Sequence, residues 1–256
     1  MPYTFAHPAA VLPLRRFCPD VGAYAALIIG SMTPDVGYFV GDTELAFRAH
    51  SARGLIAECL PLGIVCYLLA FALYVPITRL LPSPHRQALQ AIRPVALPKS
   101  LRAVAVLALA LVVGAATHNV WDAFTHRSSI LARHWPLLRW PVFTIDRTTF
   151  VVADILQHIS SLFGLAVVSV MYARWLKKST AKRTVPSDHD AWRYGLLAVL
   201  VLAALALALP LSLWNTGGDP VHPSLTYLMI RYAIAATALF CGGFTLVALL
   251  LWPLKR

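Results

Sequence analysis

The sequence predicts an all-α, polytopic membrane helix bundle with five long transmembrane helices and a short N-terminal helix. Three observations predict it. Five apolar runs, 55–81, 101–121, 150–173, 194–214 and 226–252, are long enough to cross a bilayer, which takes about 20 residues. Charged residues make up only 13% of the chain, against roughly 25% in a soluble domain, and mean hydropathy is +0.68. The basic residues collect between the runs rather than within them.

Taken in order, Met1 to Phe17 lacks the charged-then-apolar order of a signal peptide and is expected to stay in the protein. The run 21–32 is too short to span and reads as an interfacial or half-inserted helix. The chain reads as one integral membrane domain over 1–256. Its first part, 1–173, carries the titratable residues, and the part 194–252 is an apolar two-helix unit. The last two runs contain no Asp, Glu, Lys or His, and Arg231 is their only charge.

The net charge of +11 is better explained by a membrane surface than by nucleic acid. All five lysines lie in the 79–102 loop, the 174–193 loop or the C-terminus, segments that hold 13 of the 22 basic residues. A five-span topology puts these on one side, and cytoplasmic loops are enriched in Lys and Arg. The expected location is the bacterial cytoplasmic (inner) membrane, with the C-terminus inside and the N-terminus outside. Cys18, Cys59, Cys66 and Cys241 form no CxxC pattern and read as free thiols.

The chemistry concentrates at the end of the second run. His118, Asp122 and His126 are spaced i, i+4, i+8 and share one helical face. Two imidazoles and a carboxylate on one face are part of a metal site, and titratable residues at a span end need a partner or a task. The alternative is a polar face lining a watery vestibule. His7, Asp35 after Pro34, and His50 precede the first span, and His158 begins the third, so all fall on the same, outer side. These seven, His7, Asp35, His50, His118, Asp122, His126 and His158, are the candidate metal ligands, with Asp122 and Asp35 also candidate catalytic carboxylates. Asp154, i−4 from His158, would orient that imidazole, serve as a ligand itself or face headgroups. His85, His134, His189 and His222 are loop histidines with no assigned role.

These residues carry a resemblance. His7 with Ala9-Ala10-Val11-Leu12, Gly30-Ser31 with Pro34-Asp35 and Tyr38-Phe39, His50-Ser51, Thr117-His118 with Trp121-Asp122 and Phe124-Thr125-His126, and Leu156-Gln157-His158 with Ser161 and Gly164 resemble the domain-of-unknown-function 4184 family of bacterial membrane proteins. More distantly the chain resembles a family named as inner-membrane metal-dependent hydrolases, also described as LexA-binding. That second resemblance rests on His7, Pro34-Asp35, His50-Ser51 and His118 with Asp122. The chain departs from it at Ala49, where that family has Thr, and in having Glu44 and Arg48 near the place of a second His. It implies a metal site. LexA binding is not carried over, since no docking surface for a cytoplasmic repressor is visible.

A His-rich set with carboxylates suits one or two divalent ions, zinc first, with manganese or iron as alternatives. Such an ion lowers the pKa of a bound water toward about 7 and polarises a phosphoryl or acyl oxygen. The expected function is a membrane-embedded, metal-dependent hydrolase acting on a lipid-like or lipid-linked substrate at the membrane surface. The alternatives are a non-catalytic protein with a structural metal or polar cluster, and a transporter. In the 127–147 loop, Trp135, Trp140 and Phe143 suit the interface. Arg127, Arg133, Arg139 and Arg147 would hold a phosphate or simply contact headgroups.

Overall fold

The computed structural model describes residues 3–92, 97–145, 148–180, 190–214 and 225–251. Among these residues, five helices are long and apolar enough to cross a membrane. Three short helical turns, Thr4–Ala6, Pro8–Val11 and Leu12–Phe17, lead to α1 (Val21–Gly30). The Asp20 carboxylate caps α1 by accepting from the Ala23 N–H at 2.8 Å, and Asp42 caps α2 (Thr43–Ala49) through Leu45 N–H at 2.8 Å, the usual answer to orphan amides at a helix start. A π-helical stretch, Leu55–Cys59, opens into α3 (Leu60–Leu80). Ser100 caps α4 (Leu101–Thr125). Beyond it come β1 (Pro141–Ile145), β2 (Thr148–Val151), α5 (Val152–Thr180), α6 (Ala191–Trp214) and α7 (Leu225–Leu251).

The antiparallel β1–β2 hairpin pairs Phe143 with Phe150 and Ile145 with Thr148. The segment 127–147, expected to be loop, contains β1. All five residues of β1 are exposed, so this strand carries no in/out alternation to betray it.

The chain divides into two compact units, 1–71 with 95–174 and 72–94 with 175–256. Pairing 72–94 with the C-terminal helices is a division that hydropathy alone does not suggest. In the first unit α1 lies directly on α4. A Cβ on Gly30 would sit 2.2 Å from the Leu111 carbonyl oxygen, and one on Gly114 would sit 2.3 Å from that of Leu27. The two backbones touch where neither residue has a side chain, the close approach that small residues permit between helices in a membrane. Ala26, Tyr67 and Leu111 form the buried cluster alongside. α5 reaches the N-terminal segment at Gly164, whose Cβ would stand 2.7 Å from the Ala6 carbonyl oxygen, and at Ser161, whose hydroxyl accepts from Tyr3 N–H at 2.9 Å.

In the second unit α6 buries Ala204, Ala208 and Ser212, and Leu80, Phe244 and Ala248 form one apolar cluster. Asp190 ties its polar end, accepting from Arg193 at 2.7 Å, Arg86 at 3.2 Å and Ser83 N–H at 2.8 Å. Hydrogen bonding to Ser83 and the adjacent guanidiniums draw its pKa down to about 2.

Candidate metal centre

The site is assembled from four pieces of the first unit: the turn at His7, the Pro34-Asp35 turn after α1, the end of α2 at His50, and α4. On α4 the buried residues Leu111, Gly114, Ala115, His118, Asp122 and Thr125 recur every three or four positions and mark one inward face. The glycine crossing sets α1 against that face, and the carbonyl of Ser31, just past α1, accepts from His118 Nδ1 at 2.8 Å. The Ala46 carbonyl does the same for His50 Nδ1 at 2.7 Å. Each imidazole therefore donates from Nδ1 and turns Nε2 into the site, the orientation of a metal-ligating histidine.

The donor spacing is specific. His118 Nε2 lies 3.3 Å from His50 Nε2, 3.5 Å from Asp35 Oδ1 and 3.4 Å from Asp122 Oδ2. His50 Nε2 lies 3.5 Å from the same Asp35 oxygen and 3.4 Å from the same Asp122 oxygen. Bonds of about 2.0–2.1 Å at the tetrahedral angle would place ligand atoms about 3.3–3.4 Å apart. Five edges of the tetrahedron made by His50, His118, Asp35 and Asp122 thus have the length that zinc requires.

The polar atoms here also lack hydrogen bonds. Both nitrogens of His7, both oxygens of Asp122 and Asp35 Oδ1 are buried without a hydrogen-bond partner, a cost of about 1–3 kcal/mol each unless something satisfies them. Asp35 Oδ2 is satisfied, accepting from Thr4 Oγ1 at 2.6 Å. The His7 ring stacks on His118, centroids 3.6 Å apart and planes 16° apart, with its Nε2 3.5 Å from Asp122 Oδ1. The edge of Trp121 closes its other side at 5.6 Å.

Without an ion, protons share the site. Burial, with the neighbouring His118, pushes the His7 pKa down to about 3. Burial would raise that of Asp35, but the adjacent His118 and His50 imidazoles and the hydrogen bond from Thr4 hold it well below the carboxylate range. Burial also opposes charge on His50, yet the carboxylates of Asp122 and Asp35, 3.4 and 3.5 Å from its Nε2, carry it up to about 9. His50 is the most open of the four donors, its side chain 21% exposed.

The structure brings together His7, Asp35, His50, His118 and Asp122. It leaves out two expected ligands. His126 fails the i+8 spacing because α4 stops at Thr125; His126 is extended, and its Nδ1 is bound to the Asp122 carbonyl at 3.0 Å. It remains at the rim, 3.7 Å from Asp122 Oδ2. His158 is exposed. α5 turns Ser161 and Gly164 to the N-terminal segment, and at about 100° per residue His158 lies roughly a quarter turn away from that face.

Asp154 does not serve His158. It forms a two-pronged pair with Arg127 and accepts from Val151 N–H at 2.9 Å, fixing the hairpin to the start of α5. Arg127 also donates to the Thr149 carbonyl, and Arg133 donates to the Ser128 carbonyl. Both guanidiniums are thus occupied. Arg139 is exposed, and Arg147 lies outside the described residues. Thr4, Ser31, Ala46 and Trp121 join the site beyond the expected residues. Ser31 and Ala46 act through backbone carbonyls and carry no side-chain signal, while Thr4, one turn before His7, was there to be read.

No curated protein and no solved structure matches the chain. The model of the family described as Domain of unknown function (DUF4184) matches residues 1–252, and the chain belongs to that family.

Proposed function

We propose that the protein is a membrane-embedded, metal-dependent hydrolase of a lipid-like or lipid-linked phosphoester, with zinc held by His50, His118, Asp35 and Asp122. The observation that carries this reading is the set of near-tetrahedral donor spacings among buried groups. A zinc ion there would supply Lewis acidity toward a phosphoryl oxygen and, on taking a fifth ligand, would acidify a water. The chain's own residues do the rest. Ser31 and Ala46 hold the two imidazoles in one orientation, Thr4 orients Asp35, and the exposed edges of His50 and His126 leave a way in. A transporter would place such groups near mid-membrane, whereas His118 and Asp122 stand in the last two turns of α4.

Two apolar grooves support a lipid substrate. One, about 420 Å³, is lined by Leu156, Ile159 and Phe163, and the other, about 460 Å³, by Ala10, Val113 and Val120. Both share Trp121 and Phe124, and Trp121 abuts His7. Acyl chains beside this ridge would bring a headgroup to the donors. The lysines Lys177 and Lys178 in the last turn of α5 support a bacterial inner-membrane topology with this site outside.

The test is incubation of purified, zinc-loaded protein with a mixed lipid extract, products being compared with those of Asp122→Ala by mass spectrometry. A phosphoester product lost at least about 100-fold in the variant, the scale of a lost catalytic ligand, is expected. Identical products from the two proteins would refute hydrolysis.

Closure by four protein donors favours one other reading, a structural ion that pins the N-terminal segment to α4, since structural zinc sites are typically closed. That reading predicts zinc-dependent stability with no product in the same assay.

Zinc binding should also expel a proton. With His50 protonated up to about pH 9, binding at pH 7 must release at least the His50 proton. Affinity then rises with pH and levels off above about 9. Calorimetry in two buffers of different ionisation enthalpy reads this number directly, and zero release would contradict the protonated His50.

A further inference from the structure

His7 is the donor left over. It is fully buried, and neither ring nitrogen makes a hydrogen bond. It cannot join His118 on one ion. An ion bound by an imidazole lies close to that ring's plane, and the His7 and His118 planes are stacked at 3.6 Å with only 16° between them. Planes so disposed do not meet within bonding distance of either nitrogen. Yet both nitrogens address one carboxylate, His7 Nε2 facing Asp122 Oδ1 at 3.5 Å and His118 Nε2 facing Oδ2 at 3.4 Å. A carboxylate presented oxygen by oxygen to two parallel imidazoles has the geometry of a bridge. The ring spacing also falls at the about 3.5–4 Å that separates ions in two-metal sites.

We propose that His7 holds a second divalent cation, bridged by Asp122 to the first; this rests on the reading of His50, His118, Asp35 and Asp122 as the first ion's ligands. Asp35 is the other carboxylate in reach, its donor atom within 4.8 Å of those of His7 and His118. Its Oδ2 is already occupied by Thr4. With two or three protein donors among the described residues, the second ion keeps open positions. It binds more weakly than the first, exchanges readily, and gives the anionic group of a substrate a place that the closed four-donor set lacks. A cation with carboxylate and imidazole ligands and free positions fits manganese as well as zinc.

Manganese itself is the probe. Chelator-stripped, full-length protein in detergent is dialysed against Mn²⁺ and the bound ion is counted, with electron paramagnetic resonance reporting exchange coupling. Wild type is expected to bind two ions, the second at least about tenfold more weakly because it has fewer protein donors, with a coupled spectrum at saturation. His7→Phe keeps a ring in the stack without a nitrogen and should bind one ion, tightly and uncoupled. Wild type binding one uncoupled ion, abolished in His118→Ala, would overturn the second site and leave the first standing. Two ions persisting in His7→Phe would overturn the assignment to His7. No bound ion in any of them would overturn both sites.

Discussion

His118→Ala is expected to strip the protein of zinc and to remove zinc's effect on its stability. His118 supplies one of the four donors, and the three that remain are two carboxylates and the partly exposed His50. An ion present at about 1,000 times its dissociation constant stabilises the folded state by about 4 kcal/mol, so zinc should raise the unfolding temperature of the wild type clearly and that of the variant not at all. The variant also loses the bond to the Ser31 carbonyl, worth about 1 kcal/mol. It leaves Asp35 and Asp122 facing each other with one imidazole fewer, and stranding a buried charge costs about 3–5 kcal/mol. Membrane insertion should survive, because α4 becomes less polar. His134→Ala, at an exposed side chain whose Nδ1 meets only the Ile130 carbonyl, serves as the control and should match the wild type. Equal zinc protection of wild type and His118→Ala would remove His118 from the ligand set.

The second large effect is expected far from any donor atom. Gly114→Ala should lower the unfolding temperature and weaken zinc binding together. The added Cβ would stand 2.3 Å from the Leu27 carbonyl oxygen and 2.7 Å from the Ser31 nitrogen, both backbone atoms, so α1 and α4 must part. Overpacking of this kind costs about 1–3 kcal/mol. Because Ser31 moves with α1, the carbonyl that holds His118 moves too, and losing such a supporting bond weakens ion affinity by about 10–100-fold. Gly242→Ala is the contrast: nothing lies within 4 Å of a Cβ there, and alanine is the better helix former by about 1 kcal/mol, so that variant should be neutral or slightly stabilised. Thermal unfolding with equilibrium dialysis separates the two cases. A Gly114→Ala protein with wild-type affinity would show that the crossing does not position the site.

Much of this architecture is readable in the chain because bilayer crossing demands long apolar runs, and five of them stand out. His118 and Asp122 are legible as a pair because i, i+4 survives any placement inside a helix. His126 is not, since its spacing counts only while the helix lasts, and α4 ends one residue earlier. His158 illustrates a different limit. Periodicity ranks the faces of α5 only relative to one another. Which face turns inward was decided by Gly164 against Ala6 and Ser161 against Tyr3, contacts between segments about 158 residues apart. The arginines of the 127–147 segment were read by charge alone, and charge does not reveal that Asp154 and the Ser128 carbonyl occupy two of them. His7, Asp35 and His50 were singled out by residue type and by falling on one side of the membrane; their meeting around His118 depends on the glycine crossing of α1 and α4.

X-ray absorption at the zinc edge on the purified, desalted protein reads the proposed four-donor site directly. The expected result is a retained ion with only nitrogen and oxygen neighbours at about 2.0–2.1 Å and outer-shell scattering from two imidazoles. Loss of all zinc on desalting, or a sulfur shell at about 2.3 Å from a thiolate such as Cys59, would contradict it.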